Sequence, residues 1–348
     1  MALLRLAVAG AGVIGRRHIA LIQDNPLTQL VAIVDPGPGA PALANTLGVD
    51  YFHDLPTLFA SEKVDGVILA TPNALHVEQA LMCLEAGVPA LIEKPVAHSV
   101  AEGERLLKAA GQVSTPLLVG HHRAHSPILA TAREIIADGL IGSPVAIQGS
   151  ALFYKPSSYF DEAAWRREPG GGPVLINLIH EIGNLRSLFG DITQVQAMTS
   201  CATRDFAVED SAALTLRFAN GALGTFLLSD TAAAPRSWEQ TSGEDSVYAH
   251  YPDEDCYVLA GTQGSLAVPT LRLKRYGDSQ LRSWWLPFEE RTLDVQREDP
   301  LACQLMHFCA VIRGESKPLV SVNDGLQNLR VVEAVHQAAE TGHVIDLG

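Results

Sequence analysis

The chain of 348 residues exceeds one typical domain, and with 47% hydrophobic and 18% charged residues it describes a folded protein with a generous core, not a disordered one. A formal net charge of −14, spread over 39 acidic and 25 basic residues without long like-charge runs, argues against nucleic acid and anionic membrane surfaces as partners. Five cysteines with no C-x-x-C pair disfavour a disulfide framework, and neither a leader-like start nor a run of about 18 uncharged apolar residues is evident, so the expectation is a cytoplasmic protein.

In chain order, Leu3 to Ala9 has strand length and apolar character, and Gly10-Ala11-Gly12-Val13-Ile14-Gly15 leads from it into a helical pattern that lasts to about Gln23. The glycines allow a tight turn and close approach to a pyrophosphate, whose charge then sits at the positive end of the helix. The next strand, Gln29 to Val34, ends in Asp35, twenty residues past Gly15, where a carboxylate suits the ribose hydroxyls of a dinucleotide. The same carboxylate repels a 2′-phosphate, and Pro36-Gly37-Pro38 offers no arginine to receive one, so NAD is expected over NADP.

Alternation continues with strands at Val64 to Ala70, Pro89 to Ile92 and Pro116 to Val119, and helices at Ala74 to Ala86 and Ser99 to Ala110. This predicts a doubly wound parallel sheet of the Rossmann kind, with ligands at the C-terminal strand ends. Those ends read Gly10, Asp35, Thr71-Pro72-Asn73, Glu93-Lys94-Pro95 and His121-His122-Arg123. A lysine at such an end, braced by a proline, is placed to reach the nicotinamide edge of the cofactor.

After Arg123 the pattern changes. A helix from Pro127 to Asp138 precedes alternating segments at Pro144 to Tyr154, Ile192 to Cys201, Ser211 to Phe218, Ala222 to Ser229, Cys256 to Ala260 and Ser265 to Val268, with an Asn220-Gly221 hairpin turn. The prediction is an α/β chain. A Rossmann domain over 1–123 is followed by an α+β domain over 124–348 with a large open, mostly antiparallel sheet, the C-terminal helix being free to pack back on the first domain. Within the second part, Gly170-Gly171-Gly172-Pro173 should start a helix whose apolar surface is interrupted by a stripe of Asn177, His180, Glu181 and Asn184 at 3.6-residue spacing.

GAGVIGRRH at 10–18, TPNALH at 71–76, AGVPALIEKP at 86–95, WRREPGGG at 165–172 before the His180 helix, and DGLQNLRVVEAVHQAAETG at 324–342 resemble the Gfo/Idh/MocA family of NAD(P)-dependent oxidoreductases, which includes inositol and other sugar dehydrogenases. The resemblance implies catalysis by Lys94 and His180 on a secondary alcohol of a sugar, polyol or cyclitol. It also implies a homodimer or homotetramer formed on the open sheet. Cofactor contacts are expected from Gly10, Gly12, Val13, Ile14, Asp35, Thr71, Pro72, Asn73, His76, Glu93, Lys94, Trp165 and Arg166. Substrate contacts are expected from Asn177, Asn184, His122, Arg123, Tyr154 and Lys155. The family usually carries an aspartate four residues before the histidine. This chain has Ile176 there and Asn177 one residue on.

No metal is expected: His180-Glu181-Ile182-Gly183-Asn184 lacks the second histidine of H-E-x-x-H, and no Cys or carboxylate cluster completes a site around His121, His122 and His125. No G-x-S-x-G marks a serine hydrolase. The competing readings are NAD used transiently for elimination or glycosidic cleavage, and a non-catalytic NAD-binding sensor on the same fold.

Overall fold

The structure, a computed structural model, describes residues 2–277 and 281–348. The chain forms two compact units, residues 1–125 with 300–329, and residues 126–299 with 330–348. In chain order the elements are β1 (Leu4–Ala9), α1 (Val13–Asp24), β2 (Thr28–Val34), α2 (Ala40–Leu47), β3 (Asp50–Phe52), α3 (Leu55–Ser61), β4 (Gly66–Leu69), α4 (His76–Ala86), β5 (Ala90–Glu93), α5 (Val100–Ala110) and β6 (Leu117–Gly120). They continue with α6 (Pro127–Ala137), β7 (Pro144–Tyr154), α7 (Ser157–Asp161), α8 (Ile179–Phe189), β8 (Ile192–Ser200), β9 (Ser211–Phe218), β10 (Leu223–Ser229), β11 (Thr231–Arg236), α9 (Trp238–Thr241) and β12 (Tyr257–Gly261). Last come β13 (Gly264–Val268), β14 (Arg272–Arg275), β15 (Glu289–Thr292), α10 (Pro300–Ile312), α11 (Val322–Thr341) and β16 (Ile345–Asp346).

The first unit is built on a parallel sheet in the order β3-β2-β1-β4-β5-β6. Its central strands are buried nearly throughout, as β1, β4 and β5 must be when helices cover both faces. The turn from β1 to α1 is possible only with glycine. Gly10 has φ +93°, and a Cβ on Gly15 would stand 1.8 Å from the Gly10 carbonyl oxygen. A helix distant in sequence completes this core: Leu305, Phe308 and Cys309 of α10 are buried with Ile19, Ile22 and Ile68. Gly66 leaves room for the Phe308 ring and the end of Ile312. The expected single cut at 123/124 therefore meets a chain that returns to its first unit over 300–329.

The second unit carries a ten-stranded sheet ordered β15-β14-β13-β12-β7-β10-β9-β8-β16, with β11 paired to β7. Among the described residues β7 and β10 pair in parallel and the other pairings are antiparallel. The β9–β10 hairpin turns at Gly221, φ +86°, and the Asn220 side chain ties the turn down by accepting from Ala222 N and donating to Phe189 O, both at 2.9 Å. One sheet face is buried: Leu214, Leu216, Phe218, Phe226 and Leu228 pack with Ile128 and Leu129 of α6, Ile182 and Leu185 of α8, and Val331 to Ala338 of α11. The other face shows Val145, Met198, Leu223, Leu227 and Val258, all at least 43% exposed.

Tyr257 lies at the centre of this core with no exposed surface. Its hydroxyl donates to Glu181 Oε2 and accepts from Asn184 Nδ2 at 2.9 Å, which gives these two polar side chains of α8 partners inside the core. Tyr257→Phe removes a hydrogen bond to a buried carboxyl and is expected to lower unfolding stability by about 2 kcal/mol in urea titration. An unchanged midpoint would show that this hydroxyl contributes nothing to the fold.

Candidate active site

The residues singled out from the sequence fall into two groups, one in each unit. In the first unit, α1 opens at Gly12 with no side chain capping it, and Val13 is 90% exposed. A Cβ added at Gly12 would meet nothing within 4 Å, so the helix terminus faces open space with its first N–H groups and the positive end of its dipole. Asp35 stands at the end of the adjacent strand. Its Oδ2 accepts from Ala11 N at 2.6 Å and its Oδ1 from Gly37 N at 2.7 Å. Each oxygen retains a second lone pair, which is what a ribose diol needs. An open glycine-rich helix terminus with a half-buried carboxylate one strand away fits an adenine dinucleotide.

The neighbouring strand ends are fastened to one another. His76 has no exposed surface, and its ring nitrogens lie 2.8 Å from the carbonyl oxygens of Thr71 and Pro95. It was expected to touch the cofactor; instead it ties the Thr71-Pro72-Asn73 loop to the Glu93-Lys94-Pro95 turn. Thr71 Oγ1 donates to Gln79 at 2.6 Å, while Pro72 is exposed and Asn73 begins a 3₁₀ turn. Ile14 packs its side chain against the core of this unit.

Glu93 also departs from expectation. It is 6% exposed and directed inward, its Oε1 2.8 Å from His18 Nε2 and its Oε2 accepting from Lys94 N at 3.2 Å. Burial pushes its pKa up, but the hydrogen bond with His18 and the charge of the neighbouring Lys94 outweigh it and hold the carboxyl below its usual range. Lys94 itself is half-buried at the strand end. His122 is pushed down to about 3, first by burial and then by the charge of Arg123, so it serves as a neutral hydrogen-bonding group. Arg123 is only 4% exposed, a poor position from which to meet a substrate.

In the second unit the expected helix at Pro173 opens as a π-helical turn over Val174–Leu178 before α8 begins at Ile179. Val174 N at its start donates to Glu209 Oε1 at 2.9 Å. A π turn advances less per residue than the roughly 100° of an α-helix. Asn177 is thereby put out of phase with the residues that follow. The predicted single stripe is in fact divided. Glu181 and Asn184, 1% and 2% exposed, turn to Tyr257, so Asn184 spends its amide inside the core and not on a substrate. His180 is 7% exposed on α8.

Asn177 is half-buried, and its Oδ1 accepts from Lys155 Nζ at 2.7 Å. Lys155, at the end of β7, also lies 3.5 Å from Asp230 and 4.8 Å from the centre of the Tyr159 ring. Asp230, 2% exposed, is paired on its other oxygen with Arg204 at 2.9 Å. Because an ammonium only donates, the Asn177 amide is fixed with its oxygen toward Lys155 and its NH₂ outward. Tyr154 is exposed, with Arg204 lying over its ring. Trp165 is 54% exposed, whereas Arg166 is held back: it stacks 3.8 Å over the Tyr159 ring and donates to the Tyr159 carbonyl. Two participants were not foreseen. His18 sits within the GAGVIGRRH motif on the buried face of α1 shared by Gly15, Ile19 and Ile22, and this spacing was its one visible signal. Asp230 had none.

Comparison with known proteins gives the family. Residues 4–121 match the Gfo/Idh/MocA oxidoreductase family, NAD-binding Rossmann fold, and residues 129–267 match a C-terminal domain of the same family. The 1,5-anhydro-D-fructose reductase of Ensifer adhaerens is 29% identical over 293 residues, 83% of this chain and 82% of that protein. The scyllo-inositol 2-dehydrogenase (NAD(+)) of Bacillus subtilis is 26% identical over 353 residues, 99% of this chain and 96% of that one. An oxidoreductase from Agrobacterium radiobacter, solved with NAD⁺, L-tartaric acid and magnesium, shares the fold with a TM-score of 0.83 at 20% identity, covering 99% of this chain and 98% of that one. Among the described residues no helix is long and apolar enough to cross a membrane. With a Rossmann unit open at α1 and a second unit built on the family's large sheet, the chain belongs to the Gfo/Idh/MocA family of NAD-binding oxidoreductases.

Proposed function

We propose that this enzyme transfers hydride between a secondary alcohol of a sugar, polyol or cyclitol and NAD, with Lys94 and His180 as its catalytic residues. The observation that carries the reading is the Glu93-Lys94-Pro95 turn. It lies at the C-terminal end of β5, in the sheet whose β1 end opens onto the dinucleotide helix, and is fastened by Glu93 and His76. Bound NAD supplies the hydride acceptor or donor. The Lys94 ammonium polarises the carbinol or carbonyl oxygen, and His180 takes or returns the hydroxyl proton, a positioned transfer worth about 10² to 10⁴ in rate. Asn177, its oxygen engaged by Lys155, offers N–H to a substrate oxygen, and Lys155 contributes positive charge beside it. Two relatives named for a sugar-derived ketone and an inositol support this substrate class.

A panel of sugars and cyclitols with NAD, followed at the nicotinamide absorbance, tests the reading. Lys94→Ala and His180→Ala are expected to lower kcat by about 10² or more while leaving NAD affinity near wild type. Wild-type turnover in both would sink the assignment, and tight NAD binding without turnover of any panel member would favour a sensor.

The cofactor site has its own test. Gly12→Ala should keep the wild-type melting temperature, because its Cβ has space, yet weaken NAD by roughly tenfold or more by intruding on the pyrophosphate. Unchanged NAD affinity in a folded Gly12→Ala would displace the cofactor from this turn.

The same proposal includes a homodimer or homotetramer closing over the sheet face that shows Met198, Leu223, Leu227 and Val258, since so much apolar side chain on one face marks an interaction surface. Light scattering should return two or four times the protomer mass, and Leu227→Lys should shift it toward the monomer. A monomeric wild type would remove this part of the proposal.

A further inference from the structure

The dinucleotide helix and the lysine turn are joined by a buried contact with no part in either role as described so far. His18 on α1 is 1% exposed, and its Nε2 is 2.8 Å from Glu93 Oε1 at the end of β5. Its Nδ1 is buried without a hydrogen-bond partner among the described residues. With its proton on Nε2, the ring donates to Glu93 and strands no buried donor. The second carboxylate oxygen of Glu93 receives the Lys94 N–H at 3.2 Å. The side chain of Glu93 lies across Gly120 of β6, where a Cβ would stand 3.0 Å from Glu93 Cα and 3.2 Å from its Cδ. A glycine at that point of the neighbouring strand is what gives the carboxylate its inward path.

We propose that His18 is a positioning residue for Lys94: by donating to Glu93 it fixes the carboxylate that receives the Lys94 N–H, so the helix that binds the dinucleotide also sets the placement of the lysine. The proposal rests on the reading of Lys94 as catalytic. Electrostatics act in the same direction. The groups facing Glu93 are His18 from α1, Lys94 beside it, and His122 from the segment after β6, with Arg123 and His121 acting on His122 in turn. The His18 hydrogen bond and the Lys94 charge hold Glu93 ionised, and since the attraction is mutual, the anion acts in turn on Lys94. The device thus orients Lys94 and sets a buried anion beside it.

The full-length protein is tested as His18→Leu, His18→Gln, Glu93→Gln and Lys94→Ala, with NAD affinity from fluorescence titration, kcat and KM on the panel substrate, and melting temperature. His18→Leu is expected to lower kcat by about 10- to 100-fold, the range a small misplacement of a catalytic group produces, with NAD affinity within about threefold of wild type. His18→Gln, which keeps an N–H donor for the carboxylate, should recover most of that loss. In Glu93→Gln the limb of the pH–rate profile governed by Lys94 should move to lower pH, a change that a purely structural role would not produce.

Wild-type kcat in His18→Leu overturns the proposal, as does a His18→Gln no better than His18→Leu, or a fall in kcat matched by an equal fall in NAD affinity. Should His18→Leu fail to fold, the Glu93→Gln profile decides, an unmoved limb counting against the proposal. Full turnover in Lys94→Ala would instead overturn the catalytic reading of the lysine, so the two failures are separable.

Discussion

A carboxylate taken out of water must find donors for its oxygens, and the polar architecture of both units is arranged around that requirement. Glu93 has His18 and the Lys94 N–H; Asp230 has Arg204 and Lys155. Asp210, 1% exposed, accepts from Thr203 N and Arg204 N on one oxygen and from Ser211 Oγ on the other. Each pairing fixes a backbone segment at the end of a strand. Lys94, proposed above as catalytic, follows directly on one of these paired carboxylates. An unpaired buried charge costs several kcal/mol, so these geometries are tied to the stability of the fold.

Much of this arrangement was legible in the sequence where a pattern is local and repeated. The strand, glycine turn and helix from Leu4 to Asp24, the acidic strand end at Asp35 and the β/α alternation each express a period or a steric demand contained within about thirty residues. What was illegible is of another kind. The packing of α10 into the first core depends on a return of the chain from nearly two hundred residues away, and the parallel pairing of β7 with β10 depends on sheet order, which alternation alone does not encode. The short elements β3, β14, β15 and β16 carry too few residues to show a period. Glu93 was read as facing the cofactor because a strand end gives position but not side-chain direction; the space over Gly120 decides the direction.

The helix after Gly170-Gly171-Gly172 shows how one backbone irregularity reassigns roles. Projected as an ideal α-helix, Asn177, His180, Glu181 and Asn184 form one stripe. With a π turn at its start, Glu181 and Asn184 become core groups around Tyr257, while Asn177 joins Lys155 at the end of β7. Ile176 precedes Asn177 on this turn, and the Lys155 ammonium that meets Asn177 also lies 3.5 Å from Asp230, just past β10. The Asn177 amide accepts from Lys155 through its oxygen and keeps its N–H groups as donors.

Asp35 links the glycine turn at Ala11 to the loop at Gly37 through its two carboxylate oxygens. Both loops are therefore ordered before any ligand arrives. The conformational entropy of these segments is lost during folding, and a dinucleotide meets a surface that has little left to rearrange. Affinity at such a site is limited by the quality of its contacts and not by the disorder it must suppress.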